Sequence, residues 1–283
     1  MAIEQIADRA EAIDGFDIKE ETSSGFHIHR LTVTAASTHL PLPGSYITVT
    51  LGKLWLHPND RIEAAEKLLS DIMRELFESF SQKPRSVLVV CLGNRRITSD
   101  SIGPLCSEKI IVTRHLKSEF PEIYRSFGEI GLSLITPGVV GDTGIETCET
   151  VLSAVNTVSP DIVIAVDALA ARDTDRLTAS VQISDAGIAP GSGIGNHRKA
   201  LDRETLGVPV ISIGIPTVVH SSTLVLDLLE KSETELNSPK LRRLLENENG
   251  FFVTPKDADT SVEFYAKTVA HAVNLTFFGI REL

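Results

Sequence analysis

Cysteine and tryptophan are scarce in this chain of 283 residues, which contains three Cys and one Trp. The cysteines Cys91, Cys106 and Cys148 are odd in number, lie far apart and form no C-x-x-C pair. This spacing argues against a disulfide framework. We therefore expect reduced, buried thiols in a reducing cytoplasm.

Long apolar runs are also absent. No run reaches the ~18 residues that a membrane-spanning helix needs. The N-terminal Met-Ala-Ile-Glu-Gln has neither the basic patch nor the apolar core of a signal peptide. The sequence therefore predicts a cytoplasmic protein with no membrane partner.

Basic residues are few relative to acidic ones: 27 Lys and Arg stand against 38 Asp and Glu, giving a formal net charge of -11. So acidic a chain is poorly suited to binding a polyanion, which argues against a direct nucleic-acid partner. The hydrophobic share of 42% provides a full core and excludes the disordered and fibrous classes.

The N-terminal part differs in composition from the rest of the chain. Residues 1–25 hold seven acids and two bases, which predicts a solvated acidic arm. Residues 26–283 are predicted to form a single α/β domain. This domain begins with two strands over 26–35 and 46–51, followed by an amphipathic helix over 60–80.

Continuous apolar runs, typical of strands buried on both faces, occupy 87–92, 132–135, 162–166 and 208–215. Helical patterns cover 104–116, 145–158 and 221–236, and a short strand at 251–253 precedes a helix over 259–276. This alternation predicts an α/β fold: a three-layer, doubly wound, mostly parallel sheet with an N-terminal β-rich decoration.

Two aspartates follow predicted buried strands. Asp167 comes directly after the run at 162–166, and Asp100 lies in the loop after Leu92. Ligands of open α/β sheets bind at the carboxyl ends of the strands, where these side chains are expected to meet. Two close carboxyls share a proton and can act as general base and general acid on water. Alternatively, Asp167 caps a turn and Asp100 caps a helix that starts near Gly103.

Other loops at this edge offer weaker candidates. Residues 191–196 form a glycine-rich segment that fails the dinucleotide fingerprint at Asn196, and Lys199 follows it. With His197, this segment is either a substrate-binding loop or a plain surface loop. Asp142-Thr143-Gly144 matches the D-T-G of pepsin-like enzymes only once, so we interpret it as a helix cap.

Seven collinear segments together resemble one family, the germination protease of spore-forming bacteria. They include Leu-Gly-Asn-x-x-x-Thr-x-Asp-x-x-Gly-Pro at 92–104, Pro-Gly-Val-Val-Gly-Asp-Thr-Gly-Ile-Glu-Thr at 137–147 and Val-Asp-Ala-Leu-Ala-Ala-Arg at 166–172. The others lie at 112–116, 182–196, 205–219 and 253–257. The resemblance extends over about residues 25–283.

The resemblance implies an endopeptidase that degrades small acid-soluble spore proteins during germination. The family is regarded as atypical aspartic proteases that use two aspartates and no metal or other cofactor, and its motifs place these on Asp100 and Asp167. Asn94, Asn196, His197 and Lys199 are the expected substrate-binding residues. The resemblance also implies a fold related to hydrogenase maturation proteases, a homotetramer, a zymogen precursor and a location in the forespore or spore core.

The sequence departs from the family pattern at several positions. Gln5, within Glu4–Ala7, replaces the acid of the family's processing site, Arg95 and Arg96 replace a Trp-Asn pair, and His220 replaces an aspartate. Two rival hypotheses therefore stand beside the metal-free protease. One is a nickel-binding processing peptidase that uses Asp100, Asp167 and His197, and the other is an inactive binding paralogue on the same scaffold.

Overall fold

The computed structural model describes residues 15–34, 42–78, 80, 83–191, 199–234, 238–245 and 251–282. The strands are β1 Phe16–Ser23, β2 Phe26–Val33, β3 Gly44–Thr50, β4 Ser86–Cys91, β5 Gly131–Ile135, β6 Ile162–Ala171, β7 Ser180–Ser184, β8 Val210–His220 and β9 Phe252–Val253. The helices are α1 Asn59–Glu78, α2 Ile102–Ser107, α3 Leu116–Glu119, α4 Pro121–Ser126, α5 Val140–Thr143, α6 Thr147–Val158, α7 Arg203–Leu206, α8 Ser221–Lys231, α9 Pro239–Leu245 and α10 Ala258–Phe278.

All these strands belong to one mixed sheet in the order β1-β2-β3-β7-β8-β6-β4-β5, with β9 added to β8. The strands β8, β6, β4 and β5 are parallel to their neighbours in this order. The pairs from β1 to β8 through β2, β3 and β7 are antiparallel. The predicted α/β class is confirmed, and the predicted β-rich decoration is a direct continuation of the parallel part through β7.

The expected acidic arm joins the sheet from Phe16 onward, so its predicted end at residue 25 lies too far along the chain. Strand β1 pairs with β2 over its whole length. Phe16 and Ile18 pack against the buried side chains of Leu31 and Val33. The charge of this segment predicts an arm, but the alternating residues Phe16 and Ile18 of β1 are half-buried on one face of the sheet. Residues 1–14, including Gln5, lie outside the described residues.

Apolar side chains cover both faces of the sheet, which gives the three layers. In β4, Val87 and Val89 belong to the cluster that includes helices α1 and α10, whereas Leu88 and Val90 pack with helix α6 on the other face. This alternation follows from the two-residue period of a strand. Cys91, Cys106 and Cys148 are free and buried, as expected. In the described part of the chain, no helix is both long and apolar enough to cross a membrane.

Helix α2 is much shorter than the helix predicted over 104–116. After α2, the chain runs extended beside β5, and Thr113 is responsible for this path. Its hydroxyl donates to Ile130 O at 2.6 Å and accepts from Leu132 N at 2.9 Å. These bonds replace those that a helix would have made, so the apolar pattern alone was misleading here.

Gly103 places helix α2 directly against the end of β4. A Cβ atom at this position would lie 2.1 Å from Leu92 O. Such a contact requires the backbone to move, because the opposing atom is a main-chain oxygen. The absence of a side chain at residue 103 thus fixes how close α2, and the loop before it, lie to the sheet.

We expect Gly103→Ala to lower the free energy of unfolding by about 2 kcal/mol, the usual range for overpacking. Gly141→Ala is the matched control, since Gly141 is also helical and a Cβ there would meet nothing within 4 Å. That control should be neutral or slightly stabilising. Urea unfolding of both variants measures the difference, and equal stabilities would contradict the close approach of α2 to β4.

Candidate active site

Asp167 lies inside β6, at the point where this strand leaves its neighbour β4. The last paired residues are Cys91 and Val166. Asp167 follows a run of fully buried residues and is itself 6% exposed. Its Oδ1 accepts a hydrogen bond from Ala168 N at 2.9 Å. The strand therefore holds a carboxyl group in a largely water-free position.

Asp100 is held by a tight loop that follows β4. Its backbone N–H donates to Ile97 O at 2.8 Å, and its carbonyl accepts from Asn94 N at 2.8 Å. Gly93 has a φ of +115°, and a Cβ there would lie 2.1 Å from Asp100 O. The loop can close in this way only because residue 93 is glycine.

Two hydroxyl groups anchor the same loop, one to strand β8 and the other to helix α10. Thr217, on β8, donates to Ser99 O at 2.5 Å. Thr98 donates to Asp259, at the start of α10, at 2.9 Å. The half-buried Asp100 is therefore positioned by contacts with β8 and α10 as well as by its own loop.

The two aspartates interact electrostatically. The pKa of Asp167 is raised to about 8, chiefly because burial penalises the charged carboxylate and also because the charge of Asp100 repels it. The hydrogen bond from Ala168 N–H acts in the opposite direction. At neutral pH the Asp167 carboxyl is therefore mostly protonated, as one member of an acid–base pair must be.

Both aspartates open into one cleft of about 450 Å³. The cleft combines polar groups with an apolar wall, and it is lined by Ile97, Ser99, Asp100, Asp167, Ala168, Leu169, Ala170, Arg172, Gln182, Ala189, Gly191, Thr217, Val218 and Phe252. A volume of this size is ordinary for a site that takes a small ligand or a few residues of a polypeptide.

The cleft floor follows from the strand register. Gln182, Gly214 and Asp167 stand side by side on β7, β8 and β6. The missing side chain of Gly214 leaves space that Leu169 occupies, since a Cβ at residue 214 would lie 2.3 Å from Leu169 Cδ1.

The structure brings Asp100 and Asp167 together at the predicted edge of the sheet. The alternative interpretation as caps is not supported. Helix α2 begins after Ser101, not after Asp100. Asp167 lies within β6, which continues to Ala171, so it does not end a turn.

The weaker candidates lie elsewhere. Asn94 supports the Asp100 loop: its Oδ1 accepts from Arg96 N at 2.9 Å. Lys199 is exposed, and its charge acts on the thiol of Cys148. Neither lines the cleft. Asn196 and His197 lie outside the described residues.

The two arginines that depart from the family pattern each form an ion pair. Arg95 pairs with Glu108 at 3.2 Å, and Arg96 with Asp142 at 3.5 Å. Asp142 thus pairs with an arginine and does not cap α6.

His220 replaces a carboxylate of the family pattern at the end of β8. Its Nδ1 accepts from Ser222 N at 3.2 Å, which caps helix α8. The ring also packs edge-on against Phe252, with 5.3 Å between the ring centroids.

Sequence reasoning missed Arg172, Gln182 and Phe252 as cleft residues. Arg172 and Gln182 lie within the segments that carry the family resemblance, which was the available signal. Phe252 arrives through the short strand β9, and this pairing has no local signature. Within the described residues, no group of three or more His, Cys, Asp or Glu side chains could hold a metal ion. The nickel alternative depends on His197 and therefore stays untested.

The chain is similar in sequence to proteins of one family. The germination protease of Caldanaerobacter subterraneus subsp. tengcongensis is 37% identical, with 93% of this chain and 88% of that protein covered. The germination protease of Clostridium acetobutylicum is 36% identical, with 85% and 80% covered.

Among solved structures, a [NiFe] hydrogenase maturation protease from Thermococcus kodakarensis is similar at a TM-score of 0.38 and 16% identity, covering 72% of this chain and 99% of that one. The family model described as germination protease matches residues 1–236. With this match and these relatives, the chain belongs to the germination protease family.

Proposed function

We propose that this protein is an endopeptidase that degrades small acid-soluble spore proteins during germination, using Asp100 and Asp167 to activate water. Membership of the germination protease family supports a protease. The single observation that carries the two-aspartate mechanism is the buried, proton-retaining Asp167 beside Asp100 in an open cleft.

In the proposed reaction, the charged Asp100 accepts a proton from a water molecule, and the oxygen of this water bonds to the scissile carbonyl carbon. Asp167 donates its proton to the carbonyl oxygen, which yields a neutral tetrahedral diol. The C–N bond then breaks. The leaving nitrogen takes the proton from Asp100, and a diol hydroxyl returns a proton to Asp167, so the pair regains its starting state.

Further features belong to the same proposal. The homotetramer is proposed from the family resemblance. On helix α8 no residue is buried, and Leu226 and Leu228 are 45% and 58% exposed, so this helix is a candidate for the interface between chains. The substrate, the zymogen precursor and the spore-core location rest on the family resemblance, and the acidic chain fits a protein substrate better than DNA.

We expect Asp100→Asn and Asp167→Asn each to lower kcat/KM for an α/β-type spore protein by roughly 10³-fold, because each removes one proton-transfer group. Asp142→Asn is the control, since Asp142 is an exposed carboxylate outside the cleft. Gel and mass-spectrometric assays of cleavage measure the rates. Undiminished activity in either active-site variant would remove that residue from the mechanism.

The raised pKa of Asp167 also predicts how stability depends on pH. Between about pH 4 and pH 8, the folded chain holds a proton on Asp167 that the unfolded chain has released, so its stability falls as pH rises. The Asp167→Asn variant has no carboxyl group at this position, so it does not lose stability in this way as pH rises. The variant should therefore gain stability over the wild type by up to about 1.4 kcal/mol per pH unit in this window, and the gain should level off above it.

Urea unfolding of both proteins from pH 5 to pH 9 measures the gain. With Asp142→Asn as the reference, the difference from the wild type should stay constant across the same range. A constant difference for Asp167→Asn as well would contradict the assigned protonation.

A further inference from the structure

Strand β6 has an unpaired edge next to the two aspartates. Its pairing with β4 ends at Val166, whose carbonyl accepts from Leu92 N at 2.8 Å. The chain then turns away at Gly93. On its other side, β6 stays paired with β8 as far as Ala171. Beyond Val166, β6 is therefore paired with β8 on one side, and on the other side it pairs with no strand among the described residues.

The direction of its backbone groups follows from the strand alternation. Val163 N–H donates to Pro209 O, toward β8, whereas Val166 faces β4. Even-numbered residues of β6 thus face the open side, and a bulge after Leu169 does not change this because the extra residue lies in β8. In the described part of the chain, no backbone group outside the β6–β8 ladder forms a hydrogen bond with the carbonyl of Ala168 or with the backbone of Ala170.

The residues of this edge favour pairing. Natural proteins protect exposed strand edges with charges, prolines or covering segments. Here Ala168, Leu169 and Ala170 carry no charge, and all three line the cleft that holds the aspartates. Small side chains at 168 and 170 leave space for a second backbone at the usual strand spacing of about 5 Å.

We propose that this edge, Ala168–Ala170, binds the substrate polypeptide as an added β-strand and so presents the scissile bond to Asp167 and Asp100. The inference rests on the proposed peptidase function and specifies how its substrate is recognised. Main-chain pairing provides affinity for any extended segment, while alternate side chains enter the cleft beside Leu169 and Phe252.

The geometry also suits the chemistry. The peptide groups of a strand lie close to the plane of the sheet, so their carbonyl carbons are open to attack from its face. The Asp167 side chain projects from that face, in line with Gln182 and Gly214. A water molecule held by the aspartates would therefore approach the bound carbonyl along the direction that addition requires.

Ala170→Pro tests the edge from the side of the enzyme. Proline lacks the N–H, and this N–H faces the cleft, so the pairing with β8 is kept. We expect binding of an α/β-type spore protein to weaken about tenfold, the effect of losing one or two backbone hydrogen bonds. Ala170→Val is the matched variant, since it has similar bulk but keeps the N–H, and it should lose clearly less binding than Ala170→Pro. Binding is measured in an Asp100→Asn background, and circular dichroism verifies that both variants fold.

The substrate side provides a second test that does not depend on the folding of a variant. A peptide of about ten residues that spans the cut is N-methylated at one position at a time. In an added strand only every second N–H points to β6, so binding should fall about tenfold at alternate positions. Losses at consecutive positions, or at none, would overturn the proposal.

The failures of the two proposals are distinguishable. Absence of cleavage by the wild-type chain contradicts the peptidase function. Equal binding of the spore protein by folded Ala170→Pro and Ala170→Val contradicts the added strand whether or not cleavage occurs, and so does a wild-type edge that binds no spore protein at all.

Discussion

Strand β6 is longer than its neighbour β4, and the candidate site depends on this difference. Because β4 ends at Cys91, the segment Asp167–Ala171 continues with no strand paired to it on that side in the part of the chain that the structure describes. The first residue of this segment is the buried aspartate. The loop that follows β4 fills only part of the space that is left, and it places Asp100 there. The same difference in length creates both the acid pair and the open strand edge.

Burial of Asp167 is unfavourable for the fold, and the proposed mechanism uses the proton that this burial retains. The hydrogen bond from Ala168 N–H stabilises the ionised form of Asp167, but burial and the charge of Asp100 destabilise this form more strongly. The chain therefore keeps a proton where an exposed aspartate would lose it. Sites that reduce stability in this way are expected where activity demands them. The glycines at 93 and 103 serve the same end, since they let the Asp100 loop and α2 lie close to the sheet.

The sequence predicted the features that depend on local pattern. The apolar runs before Leu92 and Asp167 indicated buried parallel strands, and the rule that ligands bind at strand ends selected Asp100 and Asp167. Sequence analysis failed where pairing between distant strands decides the structure. Strand β7 is five residues long and exists because it pairs with the distant strand β3. Strand β1 is a separate case: it forms a hairpin with the adjacent β2, and its many acids concealed its alternating apolar residues. Phe252 enters the cleft through the pairing of β9 with β8, which has no local signature, whereas Gln182 lies in a segment of the family resemblance. The helix predicted over 104–116 ended early because Thr113 bonds to the backbone beside β5.

At neutral pH, the pair of Asp100 and Asp167 should retain a proton on Asp167. Carbon-13 NMR of the aspartate carboxyl groups, assigned with Asp167→Asn, measures this directly. Asp167 should titrate near pH 8 in the wild type and at lower pH in Asp100→Asn, where the repulsion is gone and burial remains. A titration of Asp167 near pH 4, the ordinary value for an aspartate, would contradict this protonation.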